Sequence, residues 1–188
     1  MTYTTNHTLL QQMREGKEES WIAFREFYKP LIARKGKDFR LRPLEIDALV
    51  QDVVLACHQE HVLDNYDRTK GRFRDYLRTI TKRIALRIIS DRPTANGLVP
   101  GGDVCAEDDE EKAEREWKEF LMDKALLELR ETMDTLKYMA FEMYELQGND
   151  AATVAQRLGI PVAQVYVIRS RAVKKLQEIT ARLESELN

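Results

Sequence analysis

The chain is predicted to be an all-α protein, two small helical domains joined by a flexible acidic linker. Three observations carry this. Apolar residues recur at three- and four-residue steps along nearly the whole sequence, and no convincing stretch alternates as a strand would. The stretch DRPTANGLVPGGD, Asp91 to Asp103, packs two prolines and three glycines into thirteen residues and cannot continue a helix. Charge is sharply segregated behind a formal net value of −2: Arg68 to Arg92 carries +7, Asp103 to Glu119 carries −6, and Arg157 to Leu176 carries +5 with no acid at all. The expected boundaries are therefore residues 1–92 for the first domain, 93–116 for the linker and 117–188 for the second. A length of 188 residues, 43% hydrophobic and 33% charged, suits one ordinary core or two small ones.

Taken in order, Thr8 is placed to cap a short helix ending near Gly16. A longer helix follows from about Glu18, with Trp21, Phe24, Phe27, Tyr28, Leu31 and Ile32 as its apolar stripe. Pro30 falls inside that stripe and is expected to kink the helix without ending it, because the pattern resumes beyond it. Pro43 sits near the start of a third helix, where Leu44, Leu49, Val53 and Ala56 recur on one side until about Glu60. Leu63 to Gly71 is polar and turn-rich and reads as a loop. Beyond it Phe73, Leu77, Ile80, Ile84 and Ile88 form one stripe while Arg74, Arg78, Lys82 and Arg87 occupy other angles, an amphipathic helix with a basic outer face. After the linker, two helical patterns run from near Trp117 to Gly148, a C-terminal cap.

The last segment is the most specific. Asn149 or Asp150 can cap a short helix through Arg157, Gly159 supplies a left-handed turn residue, and Pro161 presets the next helix. A short helix, a glycine turn and a longer basic helix make a helix-turn-helix pattern. In its second helix Val165, Ile168, Ala172 and Leu176 are spaced as a buried stripe. Ala163, Val167, Ser170 and Lys174 fall opposite, with Gln164 and Arg171 on one flank and Tyr166 on the other. Isolated basic helices are usually just solvated faces. Here the turn grammar and the missing acids favour a face that enters a DNA major groove, with early residues at base edges and Lys174 and Lys175 at phosphates. Arg169 lies beside the buried stripe, where it can snorkel.

Other classes are disfavoured. No apolar run reaches the roughly 18 residues of a membrane span. The N-terminus lacks the basic start and apolar block of a secretion signal, so a cytoplasmic location is expected. Cys57 and Cys105 form no paired motif, which suits a reducing compartment. Cys57 and His61 would share a helix face with His58 beside them, but no fourth ligand stands at a recognisable spacing for zinc. The run Glu107 to Glu111 could be imagined as a catalytic metal site. Such chemistry needs ligands fixed by several rigid elements, so the run is read as solvated, and neither an enzyme nor a cofactor is expected.

The segments DALVQDVVLA (Asp47 to Ala56), YDRTKGRFRDYLRTITKR (Tyr66 to Arg83) and TVAQRLGIPVAQVYVIRSRAVKKL (Thr153 to Leu176), with the acidic linker between the last two, are together similar to the extracytoplasmic-function sigma factors of the sigma-70 family. The likeness spans about Trp21 to Leu183. It implies a transcription initiation factor that binds core RNA polymerase, recognises a duplex −35 element and a melted −10 element of promoter DNA, and in some cases is held by an anti-sigma factor. On this resemblance Asp47, Leu49, Gln51, Asp52 and Val53 fall in the polymerase-docking helix. Tyr66, Arg74, Arg78, Lys82, Arg83 and Arg87 fall in the part that captures the −10 strand. Gln164, Tyr166, Val167, Ser170, Arg171, Lys174 and Lys175 fall in the −35 reader. A basic helix beside a loop bearing Tyr66, with Phe73 and Tyr76 nearby, also suits single-stranded DNA on physical grounds, although Phe73 is the better core candidate.

The chain departs from the family pattern in places. Arg83 stands where Asn is usual and Arg87 where Asp is common, and both add charge. Asp47 is followed by Ala48 where an acidic pair is usual. Pro161 replaces a Ser cap, giving up roughly 1 kcal/mol of capping for a preset first turn. The alternative reading is a stand-alone helix-turn-helix regulator, for which the first basic block has no evident use.

Overall fold

A computed structural model of the chain describes residues 6–59, 66–92 and 110–187. Every regular element among them is helical. They fall into two compact units, one running to Trp117 and the other comprising Lys118–Ser185.

The first unit opens with α1, Asn6–Arg14, so Thr8, expected at the cap position, lies within the helix. Leu10 and Met13 are its buried residues, and it packs against α2, Glu18–Asp38. α2 continues through Pro30, whose ring is exposed, and buries Ala23, Phe24, Tyr28 and Ile32. Trp21, Phe27 and Leu31 are half-buried, so the buried stripe is narrower than the aromatic pattern suggested. Gly36, also buried, lets α2 approach the next helix closely: a Cβ there would stand 3.1 Å from both Ile46 Cγ1 and Leu49 Cδ2.

α3, Pro43–Gln59, starts at its proline, where the missing N–H costs nothing. Its core residues are Leu49, Val50, Val53, Ala56 and Cys57. Leu44 was expected with them but is 83% exposed. Five residues before Leu49, it points well away from that stripe at about 100° per residue. The Glu45 carboxylate takes the Arg42 backbone N–H at 2.7 Å and satisfies an open donor of the first turn. It also binds the Arg42 guanidinium at 2.6 Å and Arg92 at 2.7 and 3.0 Å. These hydrogen bonds, from Arg42 first and then Arg92, hold the Glu45 carboxyl well below the usual carboxylate range.

Of the expected loop, residues 63–65 lie outside the described residues. Asp67 caps a single 3₁₀ turn, Arg68–Lys70, by accepting from the Thr69 N–H. α4, Phe73–Ser90, then packs on α2 and α3. Phe73, Leu77, Ile80 and Ile84 are buried as expected, but near the end Ile89 is buried and Ile88 is only half-buried. The buried arc is also wider than the apolar stripe, since it takes in Arg74, Thr81 and Ala85.

Most of the expected linker, residues 93–109, lies outside the described residues. Residues 110–116, assigned to its end, are instead the head of a helix, α5, Glu110–Thr132. Trp117, expected to begin the second domain, falls in the first unit and is 2% exposed.

In the second unit α5 contributes Phe120, Leu121, Ala125 and Leu129 to the core. α6, Thr135–Phe141, is capped by Asp134 and passes into a π-helical turn, Glu142–Leu146. Gly148 follows with positive φ. α7, Ala151–Leu158, and α8, Val162–Leu187, complete the unit. The buried stripe of α8 is Val165, Ile168, Ala172, Ile179 and Leu183, with Leu176 half-buried.

Candidate nucleic-acid interface

The turn between α7 and α8 is fixed at both ends. Asp150 is the residue that caps α7: its carboxylate accepts from the Thr153 N–H at 2.9 Å and the Thr153 hydroxyl at 2.6 Å, which lowers its pKa. Asn149, the other candidate, donates its side-chain amide to the Met143 carbonyl at 2.9 Å. Gly159 adopts φ 66° and ψ 34°, left-handed as expected. The following N–H, of Ile160, bonds back to the Ala155 carbonyl at 3.1 Å, the wrapping bond of a Schellman cap. A side chain at residue 159 would strain this backbone, so glycine is required there.

α8 leaves this turn with Ala163, Gln164, Val167, Ser170, Arg171 and Lys174 all exposed along one broad face. Tyr166 is half exposed, its ring edge-on to Tyr144 of the π turn at 5.8 Å. The next residue of that turn, Glu145, pairs with Arg169 at 2.8 and 3.2 Å. The pairing lowers the Glu145 pKa and raises that of Arg169. Arg169 thus holds a specific partner where snorkelling was expected. Lys175 is half-buried and directs its ammonium to the Thr132 carbonyl at 3.4 Å. The last carbonyls of α5 lack helical partners and sit at its negative end, so they draw the lysine away from the outer face. Lys174 remains on that face.

In the first unit the expected strand-binding residues divide. Arg83 and Arg87, four apart and both exposed, share one edge of α4 with half-buried Tyr76. Tyr66 joins this edge, its ring 5.8 Å from Tyr76 and 5.2 Å from Phe73 and its hydroxyl donating to the Gly71 carbonyl at 3.1 Å. Phe73 is core, 1% exposed. Arg78 and Lys82, half-buried, share the opposite edge. Arg74 does not face solvent: it is 6% exposed, paired with Glu114 at 2.6 Å, with its guanidinium 5.0 Å from the Trp117 ring. Seven residues before buried Thr81, it lies on the same side of the helix, beneath the head of α5.

The docking residues divide as well. Leu49 and Val53 are fully buried and belong to the core, so they present nothing to a partner. Asp47 and Gln51 are exposed. Asp52 is half-buried and binds Arg87 at 3.0 Å, which joins the expected docking helix to the expected strand-binding helix. An open groove of about 550 Å³, lined by Trp21, Arg25, Gln51, Val54, Leu55 and His58, runs beside Gln51. Val54 and Leu55 were not singled out from sequence, although Leu55 is 49% exposed.

Cys57 is buried and in no disulfide among the described residues, which contain no cluster of three or more side chains that could hold a metal ion. His61 lies outside the described residues. No helix among them is long and apolar enough to cross a membrane. Compared with protein-family models and with proteins of curated function, the chain finds no match in either.

Proposed function

We propose that this chain is a promoter-specificity subunit, a sigma factor of the extracytoplasmic-function type that carries no chemistry of its own. In this reading α7, the Gly159 turn and α8 form a helix-turn-helix that reads a −35 element. Tyr66, Tyr76 and the basic edges of α4 meet the melted −10 strand. The α3 surface around Asp47, Gln51 and Asp52 docks on core RNA polymerase. The observation that carries the reading is the exposed, acid-free face of α8 behind a left-handed glycine turn, bearing Gln164, Ser170, Arg171 and Lys174 together. Such a face supplies base-edge donors early and phosphate contacts late.

The test is run-off transcription with purified bacterial core polymerase on a library of genomic fragments, with and without the chain. Discrete products that depend on the chain are expected. Their absence, with selective retention of fragments by the chain alone, would replace this reading with a stand-alone helix-turn-helix regulator.

A further inference from the structure

Arg74 is in an unusual position for a surface-helix arginine. Its guanidinium has five N–H donors, and one carboxylate oxygen of Glu114, 2.6 Å from Nη2, accepts from it. Nε and Nη1 are buried with no protein hydrogen-bond acceptor, and Asp75 Oδ1 stands off at 4.0 Å from Nε. Glu114 also lies 3.9 Å from Arg72 Nη1. The guanidinium borders a cavity of about 60 Å³ whose walls include Lys35, Arg72, Arg78 and Thr81.

Part of the cover over Arg74 comes from the head of α5, although Leu31, Ile32 and Lys35 of α2 also line the cavity beside it. Beyond Glu114 and the Trp117 ring, Lys112 binds Asp38 of α2 at 2.8 Å. The head carries Glu110, Glu111, Glu114 and Glu116 within seven residues. It is held by these charge pairs together with the buried Trp117 side chain. A buried charge with unmatched donors is costly, which sets this contact apart from a core strut. A carboxylate and a phosphodiester each present two anionic oxygens to an arginine fork, so one can take the place of the other. The indole beside Arg74 is likewise a surface on which a base can stack.

We propose that residues Glu110 to Trp117 form an acidic latch over one edge of α4, in which Glu114 occupies the place of a nucleic-acid phosphate on Arg72 and Arg74, and that single-stranded nucleic acid displaces it. Closed, the latch withholds Arg74 from solvent; open, it releases Arg74 and Trp117 to the strand together. The proposal rests on reading α4 as a strand-binding helix.

The sequence contains two tryptophans, so Trp21→Phe in the full-length chain leaves Trp117 as sole reporter. A labelled twelve-nucleotide oligo-dT is titrated in low salt while anisotropy gives the affinity and acrylamide quenching gives Trp117 exposure. Saturating oligonucleotide should shift Trp117 emission to the red and raise its quenching at least twofold. Glu114→Gln should tighten oligonucleotide binding about five- to tenfold, whereas Glu119→Gln, an exposed acid farther along α5, should change it less than twofold. The latch is overturned if Trp117 stays buried at saturation or if the two substitutions act equally. A Glu114→Gln chain that melts earlier without binding more tightly would make Arg74 a structural residue and overturns it too. Absence of oligonucleotide binding by every variant overturns it along with the strand-binding role of α4; promoter-dependent run-off product from the parent chain would show that the sigma-factor reading survives.

Discussion

Helices α4 and α8 share a sequence design, an apolar stripe flanked by arginines and lysines, and they expose it differently. On α8 the face bearing Gln164, Ser170, Arg171 and Lys174 stands open, and the described contacts of the helix's basic residues fall outside it, on Arg169, Lys175 and Arg182. On α4 acids brought from other helices reach the basic residues: Glu114 meets Arg74 and Asp52 meets Arg87. Both helices were legible as basic from the count of charges within each segment. Such a count stays silent about acids delivered by folding, so an unbalanced run in sequence becomes an unbalanced surface only where the neighbouring elements bring few carboxylates.

The largest expected effect concerns how α4 is tied at its end. Arg92, two residues past α4, grips Glu45 at the start of α3, and the Glu45 side chain is only 12% exposed. Glu45→Ala should cost about 2–3 kcal/mol in the first unit, read as a lower melting temperature, because two guanidinium groups lose their acceptor. The folded carboxyl is held below its ordinary value, so its contribution is complete above about pH 4.3 and declines as the pH falls further. The melting gap between parent and variant should therefore be constant from about pH 7 to 5 and narrow below about 4. A gap that ignores pH would break the link between α4 and this carboxylate.

Next in size is the proposed reading face of α8. Arg171→Ala should cost about 1–3 kcal/mol on the selected site and relax preference at one position, measured by binding-site selection. An unchanged selected motif would remove Arg171 from the readers. Lys174 and Lys175, adjacent in sequence, sharpen the comparison within one helix. Lys174→Ala should lower the slope of log affinity against log salt by about one unit, while Lys175→Ala, already directed at Thr132, should barely move it.

The smallest effect makes α4 more like α8. Asp52→Asn removes the acid from Arg87, and exposed pairs of this kind contribute roughly 0.2–1 kcal/mol, so non-specific DNA affinity at low salt should rise about two- to threefold. If Arg87→Ala abolishes that gain, the freed arginine is its source. A gain that persists without Arg87 would point to the general loss of negative charge.

Much of the fold was legible because periodicity reports one face at a time. The stripe of α8, the buried Leu49, Val53 and Ala56 of α3, the left-handed turn at Gly159 and a cap at Asn149 or Asp150 all follow from local rules. What was missed depends on contacts distant in sequence. Arg74 looked like an outer residue because nothing near it in sequence announces Glu114, forty positions on. Leu49 and Val53, assigned to docking by resemblance, are spaced as core residues, and in the structure they are core. Leu44 was misplaced by a five-residue step read as if it were four. The π turn at Glu142–Leu146 left no mark, since it contains no glycine or proline and keeps helical composition.

That turn has a consequence for register. Its Gln147 N–H reaches the Glu142 carbonyl at 2.9 Å, five residues back, so this segment holds one residue more per turn than an α-helix would. Tyr144 and Glu145, which meet Tyr166 and Arg169, both lie within it. Deleting a single residue here would let the segment revert to ordinary α-helix and turn the two side chains by about 100° relative to α7 and α8. Tyr166 would lose its neighbouring ring and Arg169 its counter-ion, leaving α8 with a wider cationic face. A one-residue deletion in this short stretch would therefore change the charge beside the exposed face of α8 without altering a residue of that helix.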